Sequence, residues 1–145
     1  DLSYAAFLSG IVLANAGLGT VHGFAATLGG LFPIPHGVVC GTLMAEANRA
    51  TLNHLTRSTP DHPALAKYAT LGRLCSDKAG RSDEWYRHQF IGELEQLADD
   101  LNIPPLSKYR ISKANIERIV EETGNKYSPA RLSREELAAI LLARI

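Results

Sequence analysis

His22-Gly-Phe-Ala-Ala-Thr-Leu-Gly29-Gly30-Leu-Phe-Pro33-Ile-Pro35-His36-Gly37 is the stretch on which the reading of this chain turns. The glycines and prolines between the two histidines rule out one continuous helix. A short helix that begins near Thr20 or Val21 stops at Gly29-Gly30, where glycine favours a C-terminus. Phe32-Pro33-Ile34-Pro35 is then extended, because each proline pushes its predecessor out of the α region. Pro35 suits the entry of a further helix over roughly 36–55. The outcome is a tight reversal that aims two imidazoles at one place.

Upstream of the reversal, residues 2–16 are rich in Ala and Leu and apolar nearly all round. That pattern predicts a buried core helix, surrounded by other helices. The apolar segment from Tyr4 to Leu18 is interrupted by Ser9, Gly10, Asn15 and Gly17. It falls short of the roughly 20 apolar residues a spanning helix needs. It also lacks the basic flank and cleavage pattern of a signal peptide. The chain opens at Asp1 without an initiator Met, so a processed product or a piece of a longer polypeptide is expected.

Downstream, the helix after Pro35 is apolar in its first half (Val38, Val39, Cys40, Leu43, Met44) and mixed in its second. Its buried end is therefore predicted to be the His36 end. A fourth helix, about 62–77, places Leu65, Tyr68, Leu71 or Gly72, and Cys75 along one face. Ser82 caps a fifth, with Asp83 and Glu84 in its first turn and a stripe of Ile91, Leu94, Ala98 and Leu101. Ser112 caps a sixth, which ends before Gly124. Ser133-Arg-Glu-Glu136 is a capping box for the last. No strand-period alternation, internal repeat or low-complexity run is present. The expected fold is all-α, an irregular bundle of about seven helices.

At 145 residues the chain is one domain, long enough to bury roughly two thirds of its unfolded surface. Fifteen basic and fifteen acidic residues balance, which predicts neither a nucleic-acid partner nor a membrane partner. The Arg and Lys of 108–134 alternate with acids and read as a solvated face. Cys40 and Cys75 are too far apart for a C-x-x-C device and read as buried, reduced thiols. A reducing, cytoplasmic setting suits that reading.

The chemistry rests on His22 and His36. Zn²⁺ and Fe²⁺ both accept imidazole nitrogen. Each histidine falls at or near a helix N-terminus, a place that suits the neutral, metal-binding ring. On the residues alone, a pair of ordinary half-buried loop histidines fits the same pattern. Two ligands are also fewer than the three of a typical catalytic site, and no Asp or Glu lies in the stretch. Glu46 sits well down the following helix and reads as solvated. Gly17-Leu-Gly19-Thr-Val-His22 lacks the third glycine of a dinucleotide fingerprint and follows a helix rather than a strand. His54, His62 and His88 stand in polar surroundings, and Trp85 and Tyr86 read as core and interface.

Asn15-Ala-Gly17-Leu-Gly19-Thr-Val-His22, the Gly29-Gly30 pair and Pro35-His36-Gly37 together resemble the second signature of the iron-containing (group III) alcohol dehydrogenases. The spacing of the two histidines matches it. The resemblance extends over the whole chain, as the all-helical C-terminal domain of such an enzyme. It implies that residues 1–145 form a metal-binding domain, with the N-terminal nucleotide-binding domain lying upstream of Asp1. It further implies one divalent metal between the domains, Fe²⁺ or alternatively Zn²⁺, with His22 and His36 as two ligands. An Asp and a His on an earlier helix supply the others. The implied activity is metal-assisted hydride transfer between a small alcohol or aldehyde and NAD or NADP.

The resemblance assigns this chain no catalytic residue beyond those two ligands and no nucleotide-binding residue. It implies a cleft wall from Phe24, Leu28, Phe32 and Ile34. Two departures stand out. Ala26 occupies the position where many members carry another His near the nicotinamide, so water or another group must relay the proton. Ser128-Pro129 replaces a frequent Asn-Pro. With only two ligands, the chain alone is expected to bind metal weakly or not at all, to lack turnover, and to self-associate through a freed inter-domain face. Related readings are a glycerol dehydrogenase or a dehydroquinate synthase-like enzyme. A non-enzymatic helical interaction module is the reading from another class.

Overall fold

The computed structural model describes residues 1–124 and 127–145. Among them are seven α-helices, two short 3-10 turns and no strand. The helices are α1 (Leu2–Ala16), α2 (Thr20–Leu31), α3 (His36–Ser58), α4 (Pro63–Leu74), α5 (Asp83–Asp100), α6 (Ile116–Glu122) and α7 (Arg134–Leu142). The 3-10 turns span Leu106–Tyr109 and Lys113–Asn115. The all-α fold is thus the one the sequence predicts.

Local chemistry sets most of the boundaries. Phe32 is extended, as the following Pro33 requires, and α3 starts directly after an extended Pro35. Ser82 accepts a hydrogen bond from the Trp85 N–H and opens α5. Ser133 and Glu136 form the expected reciprocal box at α7. Helix α4 is capped by a histidine. The His62 ring accepts from the Ala64 N–H at 3.1 Å, with Pro63 in the first turn.

The long helix α3 is the axis of the bundle, and α2, α4, α5 and α7 pack around it. Val39, Leu43 and Leu55 of α3 meet Phe24 and Leu28 of α2, Ile91 of α5 and Leu141 of α7 in one core. Helix α4 lies closely on α5 because Gly72 leaves no room for a side chain. A Cβ there would run into the Tyr86 carbonyl. The Tyr86 hydroxyl in turn donates to the Lys78 carbonyl at 2.7 Å and fastens the connecting loop.

Several sequence readings are corrected. Helix α1 is not a core helix: no residue in it is buried, and Leu2 and Phe7 are 88% and 63% exposed. Its apolarity calls for a cover, and the bundle does not provide one. Helix α2 departs from it at 91° across the Gly17–Gly19 break. Helix α3 is buried through its middle and second half (Thr51, Leu52, Leu55), whereas His36 is exposed. Its polar residues there are carried by partners: His54 and Arg57 bond Glu136, and Tyr68 bonds Asn48.

The α5 stripe ends in solvent at Leu101. Both cysteines are free, but Cys75 is exposed and Cys40 only half-buried. Glu46 is half-buried and pairs with Arg49 at 3.5 Å. No single described helix is long and apolar enough to cross a membrane. In the 108–134 stretch the described Arg and Lys are exposed, as expected. Lys126 lies outside the described residues.

Glu136 ties α7 to α3. It accepts from the Ser133 N–H at 2.8 Å, meets His54 Nδ1 at 3.0 Å and takes a 2.6 Å hydrogen bond from Arg57. Burial raises its carboxyl, but the Ser133 N–H, His54 and Arg57 outweigh this and hold it below the ordinary value of 4.5. A lowered folded-state value means a contribution present above 4.5 and lost as pH falls through that lower value. Glu136→Gln should therefore lower stability by about 1–2 kcal/mol at neutral pH. It should also flatten the acid limb of a denaturation-midpoint-against-pH curve. An unchanged acid limb would remove Glu136 from that role.

Candidate metal centre

The reversal is made by the prolines rather than the glycines: Gly29 and Gly30 lie within α2, which runs on to Leu31 and ends at an extended Phe32. His22 is the third residue of α2 and His36 the first of α3. Their ring centroids stand 5.4 Å apart, with the planes tilted at 52°. His22 is half-buried and His36 exposed. Neither ring has a hydrogen-bond partner among the described residues.

Close packing behind His22 holds α2 in place. Gly23 lies against the Gly124 carbonyl so tightly that a Cβ would overlap it. Two residues beyond His22, Phe24 is fully buried. Thr27 Oγ1 donates to the Glu122 carbonyl at 3.2 Å, a second tie between α2 and the end of α6. The helix that carries His22 is thus fixed at both its apolar and its polar contacts.

A third donor joins the pair. Cys40 follows His36 by four residues on α3, so both side chains share one face. The thiol and the two imidazoles offer one ligand atom each, all within 4.8 Å of one another. Burial pushes the Cys40 thiol up from its ordinary value. Sequence reading assigned Cys40 to a buried thiol and missed this. The signal was present in the i, i+4 spacing from His36. Neither Glu46 nor any other described acid joins the cluster.

Behind His22 lies a small cavity of about 140 Å³, lined in part by Thr20, Asn48, Thr51 and Tyr68. Burial pushes the Tyr68 phenol up to about 12. It therefore stays protonated and donates to Asn48 Oδ1 at 2.7 Å. Thr20 Oγ1 is buried there without a hydrogen-bond partner among the described residues.

The expected cleft wall is partly corrected. Phe24, Leu28 and Ile34 point into the core, not toward a cleft. Phe32 alone of the four is half-buried, and with Pro33 and Tyr109 it lines a separate hollow. The reason is periodicity. Phe24 and Leu28 are one turn apart on the face of α2 that meets α3, and that face is spent on packing. Ala26 is exposed.

Comparison with known proteins identifies the family and the fold. The family model described as the Fe-containing alcohol dehydrogenase family, C-terminal, matches residues 1–145. The 1,3-propanediol dehydrogenase of Klebsiella pneumoniae is 31% identical over 146 residues, covering 97% of this chain and 35% of its own. The lactaldehyde reductase of Escherichia coli is 32% identical over 106 residues, 72% of this chain and 25% of its own. A crystal structure of 1,3-propanediol oxidoreductase superposes with a TM-score of 0.83 at 28% identity. That match covers 98% of this chain and 36% of the other. The chain spans about a third of the length of the first of these relatives. With a helical bundle, a paired-histidine reversal and a family match that runs from end to end, the chain belongs to the iron-containing alcohol dehydrogenase family, as its C-terminal domain.

Proposed function

We propose that residues 1–145 are the metal-binding domain of an NAD(P)-dependent alcohol dehydrogenase, with His22 and His36 as two ligands of its divalent metal. The observation that carries this is the pair of rings 5.4 Å apart, on two helix ends, with no hydrogen bond to occupy them. Imidazole donors at that spacing fit Fe²⁺ or Zn²⁺. The relatives' names, a propanediol dehydrogenase and a lactaldehyde reductase, favour a small alcohol or aldehyde substrate over the glycerol dehydrogenase and dehydroquinate synthase readings.

When bound, the metal supplies Lewis acidity to the substrate oxygen and the nicotinamide accepts or gives the hydride. The chain's own residues hold and orient. The Gly29–Pro35 reversal fixes the distance between the imidazoles. Gly23 and Phe24 seat α2 and so fix the backbone from which His22 projects. Ala26 offers no proton acceptor, so solvent carries the proton past that position. The reading takes the nucleotide-binding domain and the remaining ligands to lie upstream, and apolar α1 to be the helix that packs on that domain. The chain by itself is expected to be without turnover. The reading includes a reducing, cytoplasmic setting for the whole protein.

The test is made on the chain joined to its upstream domain. Purified anaerobically with Fe²⁺, it should reduce NAD or NADP with a small primary alcohol. A chelator should abolish the rate and added Fe²⁺ or Zn²⁺ restore it. A rate indifferent to exhaustive chelation, with no metal in the protein, would overturn the metal reading.

A further inference from the structure

We propose that Cys40 is a third protein ligand at the His22–His36 position, which gives this chain a two-imidazole, one-thiolate site that prefers Zn²⁺ to Fe²⁺. The inference rests on the metal reading above and deepens it by naming a further ligand and the metal it selects.

Three observations carry it. Cys40 Sγ and the two imidazole nitrogens lie within 4.8 Å of one another. Zn²⁺ bonds of about 2.0–2.3 Å set tetrahedral ligand atoms roughly 3.3–3.7 Å apart. A side-chain rotation of about an ångström at each donor closes that gap, and the exposed His36 is free to make it. Second, Cys40 and His36 project from the same face of α3, one turn apart, while His22 faces them from α2. The two elements are held together by the core, so the donors are brought together before any ion arrives. Third, the thiol is free and half-buried and the histidine rings lack hydrogen bonds among the described residues, so no disulfide or imidazole hydrogen bond has to be broken.

Thiolate is a soft donor that favours Zn²⁺ over Fe²⁺ at comparable geometry. Binding releases the Cys40 proton to solvent as the sulfur–metal bond forms. In the chain by itself, these three donors leave one tetrahedral position open. The two-ligand expectation of weak or absent binding by the chain alone is replaced by stoichiometric binding.

Co²⁺ is the probe, because a cobalt–thiolate bond gives a near-ultraviolet charge-transfer band that imidazole does not. The 145-residue chain carries Cys75→Ser, so that exposed thiol cannot contribute. Co²⁺ is titrated in under reducing conditions. A charge-transfer band should saturate at one equivalent, and Zn²⁺ should bleach it where equimolar Fe²⁺ does not. Cys40→Ala should lose the band and weaken binding about a hundred-fold or more. His22→Ala and His36→Ala should lose it too, each with far-ultraviolet circular dichroism unchanged.

Cobalt bound with visible ligand-field bands but no charge-transfer band, and dependent on the two histidines, overturns the thiolate ligand and leaves the imidazole pair standing. A band that survives loss of either histidine overturns the site as drawn. No bound cobalt at all also overturns it, and the chelation test on the longer protein then decides the imidazole pair by itself.

Discussion

His36→Ala in the longer enzyme should leave the fold intact and remove the metal and its activity together. The ring is exposed, sits at the first position of α3 and makes no hydrogen bond among the described residues. Truncating a side chain of that kind shifts stability by only about 0.5 kcal/mol. Lewis-acid stabilisation by a divalent metal is worth several kcal/mol. Losing about 4 kcal/mol of it lowers turnover roughly a thousand-fold. His22→Ala should behave alike in activity, with a somewhat larger stability cost because its ring is half-buried.

The measurement pairs metal content by mass spectrometry with turnover and a thermal melt. Metal and rate lost at an unchanged melting temperature identify a ligand. Full activity in either variant would take that histidine out of the metal centre. A fall in melting temperature without loss of metal would make it a packing residue.

The parts of this protein that were legible in its sequence are those decided over a few residues. The Ser133–Glu136 box fixed the start of α7, Ser82 the start of α5, and the Pro33 and Pro35 pair the break before α3. The convergence of His22 and His36 follows from the same local logic. A helix end, a four-residue turn with Phe32 and Pro35 extended, and a helix start leave little freedom in between.

The illegible parts concern what a residue faces. Helix α1 is apolar all round, which says that it needs a partner but not that the partner lies in this chain. Phe24 and Leu28 flank His22 in sequence, so they read as cleft lining, yet their periodicity turns them to α3. Cys40 carries both meanings. As a small apolar residue on a helix it reads as packing, and only the placement of α2 opposite α3 shows its sulfur among the imidazoles. A spacing rule finds His36 and Cys40 on one face. It takes a tertiary contact to add His22.

Phe24 separates packing from chemistry most sharply. It has no exposed surface, and it lies on α2 two residues beyond His22. Phe24→Ala removes a whole ring from the α2–α3 contact. Core truncations of that size cost about 3–5 kcal/mol. For a domain stable by roughly 5–15 kcal/mol, that is a large share of the total. The denaturant midpoint should drop sharply while the slope of the transition stays constant. A cost below about 1 kcal/mol would mean that the ring is not in the core.

Phe24→Leu keeps much of the volume and should cost less, about 1–1.5 kcal/mol. That milder variant is the one to test for function in the longer enzyme. A core residue should leave the KM for a small alcohol unchanged. A cleft wall should raise it, because substrate contact would be lost with the ring. Since α2 also holds His22, the milder variant should lose metal more readily on heating, in step with its lower melting temperature rather than ahead of it. Metal lost well below the melt would place Phe24 in direct support of the His22 ring instead of in the general packing of α2.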